Sequence, residues 1–333
     1  MEFVFLLCTE RSGSNLITSM VGGHRAVSGP PPSHQFRLFG LNCDNYYPTS
    51  SDENWDAFVT DFVDAAAHMI GDWDSRIDTA DLRRACPDRT IASALRHLYA
   101  GERKPGEDIS FVKENYTYLI VPFLLANWPD AKFVYQVRDP RDMAASWITT
   151  FRAKGGVAEA VDTWRNDQRE SLRIIRQIRS SGRTAFLRYE DLITAPEASM
   201  RKLCRAIGID FDSNMLESHA DDRVRRNARK VSGWKNLAKP VLGGNAGKYK
   251  TSLSGADIRF IELSCAPLME TFGYAFETDA ASVPPDKAHA EIEELLPLLS
   301  SSVASQTYSG SDAAMLADRQ KLIERVRNRI GIR

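Results

Sequence analysis

The sequence predicts an α/β protein, with a mostly parallel central sheet, helices on both faces and hence three layers. Three observations carry this. Short apolar runs alternate with amphipathic stretches along most of the chain. Two segments, "FVFLLCTERSGSNLI" (3–17) and "AKFVYQVRDPRDMAASW" (131–147), pass from a strand through a tight polar turn into a helix. The turns collect Gly, Ser, Asp and Pro, which close strands and open helices. The chain has 333 residues, 43% hydrophobic and 26% charged, enough for one large core plus an appendage.

The elements follow in order. Phe3–Cys8 is an apolar strand, and a helix runs from about Asn15 to Gly22. Residues 29–54 are rich in Pro, Ser, Asn and aromatics and predict a long irregular loop, a kind that is often functional. Helical spacing covers 55–71 and 79–100. Ile109–Val112 is a short strand, and Tyr116–Ala126 a helix. Lys132–Val137 is a strand, after which Asp139 fits the helix cap and Pro140 the first helical position. A long amphipathic helix covers 158–180. "TAFLRYEDL" (184–192) is a strand and turn leading to a helix at 196–207. Residues 254–273 form a helix that ends at Gly273.

Beyond Glu277 the character changes. "TDAASVPPDK" is a linker, followed by helical stretches at 286–299 and 312–330 on either side of "SSSVASQTYSGS". The last stretch is amphipathic through Met315, Leu316, Leu322, Ile323, Val326 and Ile330. It is either an arm for packing or homodimerisation, or a solvated tail. The chain therefore divides into a main domain, 1–278, and a linker with a helical arm, 279–333.

The net charge of −1 creates no global field toward nucleic acid or membranes, so any anion binding must be local. No apolar run approaches the roughly 18 residues of a membrane span. Residues 1–8 lack a basic stretch and a cleavage site, so they do not predict a signal peptide. The five cysteines are scattered without C-x-x-C spacing, which predicts reduced thiols, no metal site and a cytoplasmic setting.

Arg11, Ser12, Gly13, Ser14 and Asn15 lie where a strand opens into a helix. Unpaired N–H groups and the helix dipole make such a loop an anion site, with Gly13 allowing close approach and Arg11 adding charge. The same residue types are also ordinary turn and cap residues. The pattern G-x-x-x-x-G-K-[ST] is missing, which argues against a nucleoside triphosphatase. Arg138 at a strand end and Ser146 on the next helix can hold a second anion. Alternatively, Arg138, Asp139, Arg141 and Asp142 are surface ion pairs. Arg11, Lys113, Arg138 and the 189–191 turn all follow strands, so they can converge on one sheet edge.

Together the two segments resemble the sulfotransferases that use 3′-phosphoadenosine 5′-phosphosulfate (PAPS). The matching text is RSGS at 11–14, "WPDAKFVYQVRDPRDMAASW" at 128–147, "LRYEDLITAPE" at 187–197 and "KYKTSLSGADIRFIELSCAPLMETFGY" at 248–274. The resemblance implies a P-loop NTPase-like sulfotransferase fold over about residues 3–276. It is strong at the cofactor site and weak in 35–110. It assigns Arg11, Ser12, Gly13, Ser14 and Asn15 to the 5′-phosphosulfate, and Arg138 and Ser146 to the 3′-phosphate. Tyr189 lies near the nucleotide, and a loop with Gly247 and Lys248 closes over it. No metal is expected. Where many members carry Pro, this chain has Glu10, which must point away from the anion or pair with a base such as Arg11.

An acceptor hydroxyl must lose a proton, and sulfotransferases use His or Glu for this. "SGPPPSHQFRLFG" supplies His34, similar to the "PPELHLL"-type text of bacterial members. Lys113 in "FVKENYTYLIVPFLL" resembles the family's lysine before the 3′ motif, with Asn115 assisting. A loop histidine and an exposed turn lysine without roles are the bland alternatives. Arg223, Arg225, Arg226, Arg229, Lys230, Lys235 and Lys239 are either a solvated face or a groove for an anionic acceptor. The acceptor class is open between carbohydrate, lipid, natural product and peptide tyrosine. A P-loop kinase or NTPase, or a non-catalytic nucleotide-binding protein on the same fold, is the alternative function.

Overall fold

The alternating residues of the first strand belong to two cores. Phe3, Phe5 and Leu7 join one apolar cluster, and Val4, Leu6 and Cys8 join the other. A strand buried on both faces needs a layer of helices on each side, which gives the three layers predicted. The computed structural model describes residues 1–149, 155–179, 182–230, 232–241, 243–301 and 310–329.

Five strands form the sheet: β1 (Glu2–Cys8), β2 (Val27–Ser28), β3 (Ile109–Lys113), β4 (Lys132–Val137) and β5 (Thr184–Arg188). Their order is β2-β3-β1-β4-β5, and every pairing is parallel. The first strand is therefore central, flanked by β3 and β4. In such a sheet a ligand crevice opens beyond the carboxyl ends, where neighbouring connections leave in opposite directions. Leu6 pairs with both Lys113 and Val134, and Val137 pairs with Arg188. The register thus brings the ends of four strands to one edge.

The helices are α1 (Ser14–Gly22), α2 (Gln35–Leu41), α3 (Asp52–Ala67), α4 (Thr79–Ala85), α5 (Ile91–Ala100), α6 (Val121–Asn127) and α7 (Pro140–Trp147). They continue with α8 (Gly156–Ile178), α9 (Tyr189–Thr194), α10 (Pro196–Ile207), α11 (Asp222–Lys230) and α12 (Tyr249–Ser252). The last are α13 (Gly255–Phe272), α14 (Pro285–Leu295) and α15 (Gly310–Asn328). Asp139 caps α7 by accepting from the Arg141 N–H, with Pro140 next to it, as predicted. A capping box at Ser254 and Asp257 opens α13, and Gly273 closes it in the left-handed region.

Several expectations need correction. Residues 29–54 are not an irregular loop throughout, because 35–41 form α2. Phe36 packs at 5.4 Å from Phe3 and 5.1 Å from Phe5, while Phe39 packs at 5.3 Å from Phe58. Aromatics three apart share one helical face, and burying each stabilises by about 1.5–3 kcal/mol. The 79–100 helix is two helices, capped by Asp78 and Thr90, because Pro87 cannot continue the first. The 116–126 helix begins as a 3₁₀ turn at Thr117–Ile120, and the turn after β5 is the short helix α9.

The arm packs on its own chain, where Leu322 and Val326 are buried in the first core. Arg325 and Arg329 donate to the buried Asp61 of α3 at 2.9 and 2.7 Å. Ser180 and Ile330 of the expected helices, 302–309 of the separator, and the Met315 and Leu316 side chains lie outside the described residues. Among the described residues no helix is long and apolar enough to cross a membrane.

Candidate active site

At the end of β1 the backbone turns sharply, with Arg11 at φ +66° and Gly13 at φ +83°. Gly13 caps α1 and, lacking a side chain, gives the helix no side-chain cap hydrogen bond. The first N–H groups of the helix therefore face outward toward an anion. A side chain at residue 13 has no room, since a Cβ there would lie 2.3 Å from the Tyr189 ring. Tyr189 opens α9 just past β5, so the sheet register places its ring against the loop. The Arg138 guanidinium lies 4.6 Å over the same ring.

Arg138 organises this cradle from the end of β4. It donates to the Arg11 carbonyl at 2.9 Å and to the Asn245 carbonyl at 3.2 Å. The Asn245 amide donates to the Tyr189 hydroxyl at 2.5 Å. Ser146 accepts from Arg11 Nε at 3.1 Å. The two predicted anion sites are thus one continuous surface, with the Arg11 side chain turned toward the second motif. Ser12 Oγ and Arg138 Nε are buried without hydrogen-bond partners among the described residues. Two orphaned donors beside a helix N-terminus suit a phosphate- or sulfate-like group.

The rest of the second motif is framework. Arg138, Asp139, Arg141 and Asp142 are buried, so they are not a solvated surface cluster. Arg141 forks onto Asp139 at 3.0 and 2.7 Å and reaches Glu262 of α13 at 2.6 Å. Glu262 also accepts from the Glu277 and Thr278 N–H groups, which ties the chain beyond α13 to the site. Asp142 accepts from Gly247 N at 2.7 Å and Tyr249 N at 3.1 Å, and so holds the loop of Gly247 and Lys248. Gly247 sits at φ +74° with open space around it, and Lys248 is exposed. The structure therefore brings Gly247 to α7 and leaves the Lys248 side chain exposed.

On the other side of β1, Lys113 is buried and donates to Asn115 Oδ1 at 2.8 Å. Burial lowers its pKa from the ordinary lysine value. Asn115 donates in turn to Glu10 Oε2 at 3.4 Å. Glu10 thus turns toward Asn115, and its charge still favours the Arg11 guanidinium, although among the described residues no ion pair joins the two. His34 precedes α2 at φ +60°, with Phe36 two residues on locked into the core. Its Nδ1 is 3.5 Å from Glu114 Oε2, and its side chain is 12% exposed. Burial pushes the imidazole down to about 4, against the opposing pull of Glu114. The ring is neutral at pH 7, the form in which it can accept a proton.

Sequence reasoning missed Glu114, Asn245, Asp142 and Asp167 in this region. Burial raises Asp167 to about 7, although the Tyr118 hydroxyl donates to it at 2.9 Å. The basic stretch divides. Arg223 faces the buried Glu102 at 3.6 Å, and Arg226 pairs with Asp72 at 2.7 Å. Arg225, Arg229, Lys230, Lys235 and Lys239 are exposed. A cavity of about 30 Å³ lies between α1, the Pro-rich return and α11, lined by Asn15, Thr18, Pro31, Arg223, Asn227 and Trp234 among others.

The comparisons with known proteins establish the family and the fold. The model of the sulfotransferase family matches residues 4–213, well over half of the chain. The chain belongs to the sulfotransferase family. Among solved structures it is similar to the sulfotransferase domain of the Synechococcus PCC 7002 olefin synthase, with 22% identity and a TM-score of 0.60. That match covers 83% of this chain and 96% of the other. The sulfotransferase domain from the curacin biosynthetic pathway matches with 18% identity and a TM-score of 0.56, covering 83% and 98%. Identities this low establish the sulfotransferase fold, P-loop-like with a parallel sheet. No curated protein matches the chain.

Proposed function

We propose that this sulfotransferase moves the sulfuryl group of PAPS to the hydroxyl of a small carbohydrate, lipid or natural product. The observation that carries the reading is the continuous cradle of Gly13, Tyr189, Arg138, Arg11 and Ser146, with its orphaned Ser12 Oγ and Arg138 Nε. Its donors fit an anion at each end. When bound, PAPS supplies an activated sulfuryl group whose S–O bond to the phosphate breaks as the acceptor oxygen bonds to sulfur.

The residues then divide the work. Ser12, Ser14, Asn15 and the first N–H groups of α1 hold the 5′ end. Arg138, Arg11 and Ser146 hold the 3′ end, and Tyr189 covers the loop. Lys113, buried and polarised by Asn115, meets charge on the leaving oxygen. His34 takes the acceptor's proton. Arg and Lys meet the charge here, so the reaction calls for no metal. Five free cysteines support a reducing, cytoplasmic setting.

Calorimetric titration in EDTA tests this. 3′-Phosphoadenosine 5′-phosphate should bind about 10–100-fold more tightly than adenosine 5′-phosphate, because the latter has no 3′-phosphate for Arg138 and Ser146 to hold. Equal affinities would remove the 3′ site.

A further inference from the structure

Glu114 directly follows β3, and its side chain is fully buried. A carboxylate in that position is costly unless its oxygens are met. One oxygen is met, since Oε1 accepts from Ser33 Oγ at 2.9 Å, and Ser33 Oγ also lies 3.0 Å from the Tyr99 hydroxyl. The other is not. Among the described residues Oε2 has no hydrogen bond and faces His34 Nδ1 at 3.5 Å, an atom that is itself buried and without one. The separation slightly exceeds the usual N–H···O range of about 2.7–3.2 Å.

The local fold places these two atoms opposite each other. His34 occupies the left-handed region at φ +60°, a strained conformation for a non-glycine residue. Ser33 Oγ accepts from Gln35 N at 3.0 Å, so one hydroxyl binds both the start of α2 and the carboxylate. Phe36 then fixes the helix in the core.

We propose that Glu114 is a positioning residue, which holds the His34 imidazole with Nδ1–H toward Oε2 and leaves Nε2 to take the acceptor's proton. The pairing stands on the geometry alone, and the proton-transfer role rests on the sulfotransferase reading above. Nδ1 is buried, so the exposed part of the ring lies elsewhere and Nε2 is the nitrogen open to a substrate. In the step itself, the acceptor O–H proton passes to Nε2 and the oxygen lone pair bonds to sulfur. The S–O bond to the phosphate breaks, its electron pair staying on the phosphate. Glu114 neither gains nor loses a proton.

The imidazolium so formed needs an anion. Burial disfavours it, as do Lys113 on β3 and Arg319 on α15, while Glu114 favours it. From α5 the Tyr99 hydroxyl adds only a neutral dipole toward Glu114 through Ser33. Glu114 is therefore the group in this set that offsets the new charge, as an orienting carboxylate does behind other histidine bases.

The test is ¹⁵N NMR of the full chain with labelled histidine, alongside transfer rates. Wild-type His34 should be the Nδ1–H tautomer. Glu114→Gln should mix the tautomers and move the ring's titration down by about one pH unit or more, because the favouring charge is gone. Its transfer rate should fall about 10–100-fold at unchanged product-nucleotide affinity, with partial recovery in Glu114→Asp. An Nε2–H tautomer in the wild type overturns the pairing, and that result stands even if the variant does not fold. A titration unmoved by Glu114→Gln also overturns it. A wild type with the Nδ1–H tautomer but no turnover keeps the pairing and overturns the proton-transfer role together with the sulfotransferase reading.

Discussion

Gly13→Ala probes the cradle at its tightest point. The residue sits at φ +83°, where an alanine costs about 1–2 kcal/mol in backbone strain. Its Cβ would also lie 2.3 Å from two Tyr189 ring carbons, so the ring must move. Overpacking of this kind costs about 1–3 kcal/mol, giving about 2–5 kcal/mol in all. Unfolding entropy is about 2.1 cal/mol/K per residue, or about 0.7 kcal/mol/K for this chain, so the melting temperature should fall by about 3–7 °C. Arg138 stacks on the displaced ring, so affinity for 3′-phosphoadenosine 5′-phosphate should drop at least about tenfold. Gly247→Ala is the internal control. It has a similar φ of +74°, but among the described residues nothing lies within 4 Å of where the new methyl would sit, so it should lose only about 1–3 °C. Scanning calorimetry and titration of both variants decide the matter. Equal losses in the two would refute the claim that the Tyr189 contact shapes the site.

Arg138→Ala should weaken binding of the same nucleotide by about 10–100-fold and Ser146→Ala by less than about tenfold, since among the described residues Arg138 holds two carbonyls and a ring while the Ser146 hydroxyl holds Arg11 Nε. The reverse order in calorimetry would refute that division. Asp142→Ala should speed hydrogen exchange at Gly247 and Tyr249 and cost about 2–4 kcal/mol, because both N–H groups lose their acceptor. Unchanged exchange there would show that the loop is held by something else. Asp167 has a folded-state pKa raised to about 7, above its unfolded value, so its contribution is full below about pH 4 and is lost as pH rises through about 7. Asp167→Asn keeps an acceptor for Tyr118 and should flatten stability between about pH 4 and 7, raising it relative to wild type at pH 8. Denaturant melts across that window check this, and an equally steep loss in the variant contradicts it.

The sequence made four of the five strands and the residues of the cradle legible because their determinants are local, whereas the two-residue β2 is too short to leave a pattern. Lys132–Val137 is an apolar run closed by an Asp-Pro cap, and its predicted bounds match the strand. Arg11, Arg138 and Tyr189 follow strands, so parallel pairing alone brings them to one edge. What escaped depends on contacts between distant residues. The helix Gln35–Leu41 exists because Phe36 and Phe39 find partners on β1 and α3. Arg141 looked like a surface charge until Glu262, 121 residues away, supplied its buried partner. Glu114 reads as a polar residue beside Lys113, and its role is set by Ser33 and His34, some 80 residues earlier in the chain. Nothing in the spacing of these residues announces such pairs.

Sulfuryl transfer from a bisphosphorylated donor gripped by this cradle is the activity proposed for this chain. The most direct measurement incubates the full chain with ³⁵S-labelled PAPS in EDTA, against a panel of phenolic, sugar and hydroxylated-lipid acceptors. Label should appear in an organic sulfate ester, formed by wild type and reduced about 10²–10⁴-fold in His34→Ala at unchanged product-nucleotide affinity. Label that stays on the donor with every acceptor, from a protein that hydrolyses a nucleoside triphosphate in magnesium, would contradict it.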